Sequence, residues 1–265
     1  MQEYFSGNKL YGDDFGLTEI EQWFEDEKEG YANLGASNKE QYAYVYHQLN
    51  ITNCYKFLPD KKFDNVLGLG SAYGHEFEPI INRISHITII EPSSHFLSSE
   101  IYGIPVEYVK PQSNGEMIFA DNHFDMITCF GVLHHIPNVS RVLREIFRCL
   151  KPGGYALIRE PTTSMGDWRK PRYGLTKRER GIPIEIFNKF ISDTGFNVIS
   201  KSRCMFSLTH RLGILQGKQA YNSRAMVNCD RFFCFLFSWN KTYHAVNIRQ
   251  KLRPVAIAYV VRKPD

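Results

Sequence analysis

Between Phe63 and Ser93 the chain runs through a short apolar strand, a glycine-rich turn, a helix-length stretch and a second apolar strand that closes on Glu91. Val66, Leu67 and Leu69 supply the first strand, and Ile87 to Ile90 the second. Between them, Glu76 to Arg83 predicts a helix. Two strands joined through a helix must run parallel, and parallel strands need cover on both faces, so this stretch commits the chain to an α/β architecture. Gly70 lacks the Cβ that would forbid a sharp bend or hold a ligand away from the backbone. Glu91 stands at the carboxyl end of the second strand, where an acid in such units accepts hydrogen bonds from ribose hydroxyls. The ligand implied is a nucleoside.

A dinucleotide fingerprint requires a third glycine three positions beyond the second, and Tyr73 occupies that position, which argues against NAD. The pattern of Val66, Leu67, Leu69, Gly70 and Gly74 instead resembles motif I of the class I S-adenosylmethionine-dependent methyltransferases. Two positions depart from the family form: Gly68 stands in place of the usual acid, and Ala72 in place of the middle glycine. Downstream, Phe124-Asp125, Leu133-His134-His135 and Leu150-Lys151-Pro152-Gly153-Gly154 are similar to the signature of the ubiquinone/menaquinone-biosynthesis (methyltransferase type 11) group.

The resemblance implies a Rossmann-like fold: a seven-stranded, mostly parallel sheet with an antiparallel last strand and helices on both faces. It implies S-adenosyl-L-methionine as cofactor. The turn of Gly68, Gly70, Ser71, Ala72 and Gly74 would hold the amino-acid end. Glu91 would hold the ribose, Pro92 and Ser93 would flank the adenosine, and Phe130, Gly131 and Val132 would flank the sulfonium.

Outside the core, residues 1–59 are aromatic and acidic, with a predicted helix capped by Thr18 and another from Asn38 to about Leu49. Packing onto the core and a lid over the ligands are both open for this segment. Residues 60–206 form the expected cofactor-binding core, 207–253 an inserted cap with a helix around Phe232 to Trp239, and 254–265 the last core strand. Val139, Val142, Leu143, Ile146, Phe147 and Leu150 recur at helical spacing, with Asn138 as cap and Lys151 at the negative end.

For the chemistry, His134 and His135 follow the fourth strand and Glu160 follows the fifth; each is a candidate proton acceptor if a hydroxyl is methylated. Fixing the loop is the alternative for the histidines. Arg169, Arg172 and Arg178 follow the fifth strand, and forked guanidinium groups suit a carboxylate or phosphate on the substrate. A solvated loop is the alternative there.

The formal net charge of +4 over 265 residues is too dilute for a nucleic-acid stripe. The Asn/Asp-Pro-Pro-aromatic motif of base-methylating enzymes is replaced by Phe130-Gly131-Val132-Leu133. Six cysteines without a CxxC pair predict reduced thiols in a cytoplasmic protein and no metal site. No apolar run reaches the length of a membrane span. The expectation is O-methylation of a small-molecule or glycan acceptor, with a non-catalytic cofactor binder and a protein- or nucleic-acid-directed methyltransferase as alternatives.

Overall fold

A computed structural model describes residues 1–33, 42–209, 211 and 220–265. The strands are β1 (Phe63–Leu69), β2 (Ile84–Ile90), β3 (Glu100–Ile101), β4 (Ile104–Val109), β5 (Phe124–Phe130), β6 (Leu150–Pro161), β7 (Asn197–Phe206) and β8 (Pro254–Arg262). They form one sheet in the order β3-β4-β2-β1-β5-β6-β8-β7. β4, β2, β1, β5 and β6 are mutually parallel, while β8 runs antiparallel to both β6 and β7. The eighth strand, absent from the sequence expectation, is the two-residue β3, which folds back antiparallel on β4 at the sheet edge. It is too short to leave an alternating pattern.

Among the described residues the α-helices include α1 (Gln2–Ser6), α2 (Leu17–Glu27), α3 (His47–Asn53), α4 (Val139–Cys149), α5 (Ile184–Asp193), α6 (Arg224–Leu236) and α7 (Ile248–Lys251). Successive strand side chains alternate between faces. Leu67, Leu69, Ile127 and Cys129 join Val142, Leu143, Ile146 and Phe187 of α4 and α5 in one core layer. Val66, Met126, Leu157 and Val260 join Leu49 of α3, Phe77 and Val227 of α6 in the other.

Several local expectations change. The stretch after the glycine turn is a 3-10 helix, His75–Arg83, with Pro79 inside it. Proline removes one N–H from an α-helical ladder, and buried Phe77 and Ile80 share one side of a three-residue turn. Gly16, not Thr18, caps α2, with the Glu19 carboxylate reaching back to the Gly16 N–H at 3.0 Å. The second N-terminal helix begins at His47; Asn38 to Gln41 lie outside the described residues.

Asn138 stands at the start of α4 but donates to the Asn114 carbonyl, and Asp13 caps the helix instead by accepting the Ser140 N–H at 2.8 Å. At the other end of α4, Lys151 pairs with Asp125, while Lys263 donates to the carbonyls of Phe147 and Leu150. All six cysteines are free, and all but Cys229 are buried. Among the described residues no helix is long and apolar enough to cross a membrane.

Candidate active site

The carboxyl ends of β1, β2, β5 and β6 open into a single cavity of about 980 Å³, walled on its outer side by Trp23, Glu27, Tyr31, Tyr42, Tyr44 and Tyr46. Open parallel sheets bind ligands at this edge, and the volume accommodates a drug-sized molecule.

On the β1 side, Gly70 leaves the strand with φ +60° and donates its N–H to the Ile90 carbonyl at 2.8 Å. A Cβ there would stand 2.8 Å from the Val132 methyl groups. Ala72, where the family form has glycine, also lies in the left-handed region at φ +48°. Hydrogen bonds hold it there: its N–H donates to Glu91 at 3.2 Å and its carbonyl accepts the Tyr108 hydroxyl at 2.9 Å. Glu91, only 6% exposed, also accepts the Ser93 N–H at 3.1 Å. Burial outweighs those two amides and pushes its carboxyl up to about 7.

Gly70, Ser71, Ala72, Glu91, Pro92, Ser93, Phe130, Gly131 and Val132 all line the cavity. Gly68 and Gly74 do not. Gly68 lies beneath the turn, where a Cβ would come within 2.3 Å of Ser71 Oγ, and Gly74 makes room for the Ile101 side chain. The acid missing at Gly68 has a neighbour the sequence did not single out. Glu76 lines the cavity, and its Oε1 accepts the hydroxyls of Ser71, at 3.0 Å, and of Thr128, whose Cα is the β5 partner of Gly68. Burial pushes Glu76 up to about 7 despite those hydroxyls.

Across the cavity, Gly131 (φ +75°) turns the chain out of β5 into the short 3-10 helix Leu133–His135. Glu160, without exposed surface, accepts the N–H groups of Val132 (2.7 Å), Leu133 (2.9 Å) and His134 (3.3 Å). It also holds His134 Nδ1 at 2.8 Å. With every lone pair engaged, it positions this turn. Burial alone would raise the Glu160 acid, but His134 and the amides hold it below the ordinary carboxylate range. For His134, burial works against the charge and Glu160 and Glu179 work for it, leaving the imidazole at about 9. His135 has its Nδ1 at 2.8 Å from Glu27, and both Nε2 atoms face Glu179, at 3.6 Å from His134 and 3.4 Å from His135.

The three arginines proposed for substrate lie off the cavity wall. Arg169 forms a forked pair with Asp167, Arg178 pairs with Asp26 over the Trp23 ring, and Arg172 donates to the carbonyls of Met165, Thr176 and Glu179. Each finds acceptors within its own loop or on α2. Arg180, fully buried, ties the carbonyls of Tyr11, Leu133, His134 and Pro137 together. The cations that do line the cavity include Arg159, Arg211, Lys251 and Arg253. Arg159 stacks over Tyr46 and donates to Asn50 at 3.0 Å.

Residues 42–201 match the family model described as "Methyltransferase domain". Sterol 24-C-methyltransferase of Yarrowia lipolytica is 32% identical over 119 residues, covering 41% of this chain and 31% of that protein. The ubiquinone/menaquinone biosynthesis C-methyltransferase of Vibrio cholerae is 31% identical over 106 residues, 36% of this chain and 40% of that protein. The chain thus spans less than half the length of these curated relatives. Among solved structures, a Haemonchus contortus phosphoethanolamine N-methyltransferase in complex with S-adenosyl-L-methionine superposes with a TM-score of 0.59 at 16% identity. The alignment covers 93% of this chain and 60% of that one. The [4+2]-cyclase SpnF gives 0.55 at 15% identity, covering 92% and 96%. At such identities the likeness is one of fold.

Proposed function

Since the chain belongs to the methyltransferase domain family, we propose that it binds S-adenosyl-L-methionine in the cavity and moves the sulfonium methyl to an acceptor oxygen. One observation carries the proposal: Glu91 and the Gly70–Ala72 turn are hydrogen-bonded to each other on one cavity wall, with Phe130, Gly131 and Val132 beside them. A ribose then meets the carboxylate, and the methionine end meets the turn, Ser71 and Glu76. Because the donor is already activated, the protein's task is to align acceptor, methyl and sulfur and to keep water out.

O-methylation is favoured over N- or C-methylation by what faces the cofactor wall. His135, with its Nδ1 backed by Glu27, stands where an acceptor hydroxyl has a proton to lose, while His134, raised to about 9 by Glu160 and Glu179, is already protonated and holds the turn. Glu160 serves as a positioning residue for His134 and the turn that carries it. Arg211 and Lys251 give the acceptor end a positive rim, which suits a small anionic or glycan-type molecule, while buried Arg253 is engaged by the Thr242 and Tyr243 carbonyls. Residues 1–59 act as the lid, with Trp23 donating to the His135 carbonyl at 2.7 Å, and 207–253 as the cap.

Calorimetry with S-adenosylmethionine, followed by a methyl-transfer screen against hydroxylated small acids and sugar nucleotides, tests this. Micromolar binding with methyl transfer to oxygen is expected. No heat at millimolar cofactor overturns the binding site, and transfer to nitrogen or carbon alone overturns the acceptor assignment.

A further inference from the structure

We infer that His134, His135 and Glu179 form a binding site for one divalent first-row transition ion, of the zinc type, on the acceptor side of the cavity. One ligand atom from each residue lies within 4.8 Å of those of the other two. The Nε2 atoms of both histidines turn toward a single Glu179 oxygen, at 3.6 and 3.4 Å. Ligand atoms on a tetrahedral ion with bonds of about 2.1 Å stand roughly 3.4 Å apart. The two imidazole–carboxylate distances match that spacing, and the three residues can offer ligand atoms within 4.8 Å of one another.

The outer ring of partners gives the independent support. A metal-bound imidazole donates its other N–H to a carboxylate or carbonyl, which fixes the ring and the tautomer. Both rings do so: His134 Nδ1 is 2.8 Å from Glu160, and His135 Nδ1 is 2.8 Å from Glu27. Glu27 is in turn held by the Thr176 hydroxyl and the Arg178 N–H. The other Glu179 oxygen accepts the Thr176 N–H at 3.2 Å. Two nitrogens and one carboxylate oxygen suit Zn²⁺ and its neighbours better than Mg²⁺ or Ca²⁺. All three side chains line the cavity, so a fourth position faces the space where the acceptor would sit. With both Nε2 atoms on the ion, the ion would take over from His135 as the group that eases proton loss from a bound hydroxyl, as zinc does for water. That role rests on the acceptor assignment above; the ion's binding does not.

Titrating the chelator-treated 265-residue chain with Co²⁺, without cofactor, tests the site. The expected result is one equivalent bound, with the visible absorption of a four- or five-coordinate nitrogen–oxygen site, and displacement by Zn²⁺. Glu179→Gln and His135→Gln should each weaken binding by more than about tenfold while S-adenosylmethionine affinity stays within twofold. Glu91→Ala should show the reverse. Absence of Co²⁺ absorption in the wild type overturns the proposal whatever the variants do. So does a sulfur-to-cobalt charge-transfer band, which would place the ion on a thiol such as Cys229. Metal binding that persists unchanged in folded Glu179→Gln protein overturns it as well.

Discussion

The Ala72 N–H donates to Glu91 across a separation of nineteen residues, so the glycine turn and the carboxylate proposed for the ribose are one hydrogen-bonded unit. Both parts of the proposed nucleoside site are thereby held in register by the protein itself. Glu91→Ala removes the charged acceptor and loosens the turn together. Cofactor binding should weaken by about 1 to 3 kcal/mol, measured by calorimetry. Unchanged affinity would assign the ribose elsewhere.

The same carboxylate makes binding depend on pH. With its folded value near 7, Glu91 is largely protonated at pH 6 in the free protein, and ribose hydroxyls prefer the ionised form. Affinity for S-adenosylmethionine should fall as pH drops below 7, by up to about tenfold per unit, and level off above it. In Glu91→Gln the slope should shrink. A wild-type profile flat from pH 5.5 to about 8 would contradict the assignment.

Stability of the ligand-free protein should move the opposite way. Glu76 and Glu91 both sit near 7, above the ordinary glutamate value of 4.5. Between those values the folded state keeps protons that the unfolded chain releases, so rising pH favours unfolding. Stability should decline from about pH 4.5 to 7, by roughly 3 kcal/mol per group at most, and His134, raised from 6.5 to about 9, extends the decline above pH 7. Urea unfolding at pH 5 and 8 reads this directly, and Glu76→Gln should remove its share.

Ala72 at φ +48° bears a cost that glycine would not. Ala72→Gly should relieve about 1 kcal/mol of backbone strain, partly offset by the freedom glycine adds to the unfolded chain. A small rise or no change in melting temperature is expected. A drop of several degrees would mean the methyl group's packing outweighs the strain.

The loop arginines separate packing from recognition. Arg169 is exposed, pairs with Asp167 and sits over the Phe5 ring, so Arg169→Ala should change stability by less than about 1 kcal/mol and leave acceptor KM alone. Buried Arg180 holds four carbonyls, and Arg180→Met should cost several kcal/mol. Equal effects in thermal melts would refute this division.

Strand and helix periodicity made the core legible. The strands of the βαβ unit expected between Phe63 and Ser93 form as β1 and β2, and α4 follows its apolar stripe. The wall proposed for the cofactor was legible too, because its residues fall in three short stretches, Gly70–Ala72, Glu91–Ser93 and Phe130–Val132, that all line the cavity. The acceptor wall was not. Glu27 reads as the water face of an acidic helix and Glu179 as one residue in a basic loop, yet each is buried against His135. They are separated from it by 108 and 44 positions, and no local pattern joins partners so far apart. Capping misled for the same reason: Asp13 and Lys263, which hold the two ends of α4, are tertiary neighbours.

β8 lies between β6 and β7 and is made after both. A nascent chain leaving the ribosome therefore carries a split sheet, with β6 exposing an unpaired edge and β7 having nothing to lie against, until residues 254–262 emerge. Such an edge invites pairing with other chains, so synthesis of this protein passes through an aggregation-prone interval in which a chaperone that shields β6 would raise the soluble yield.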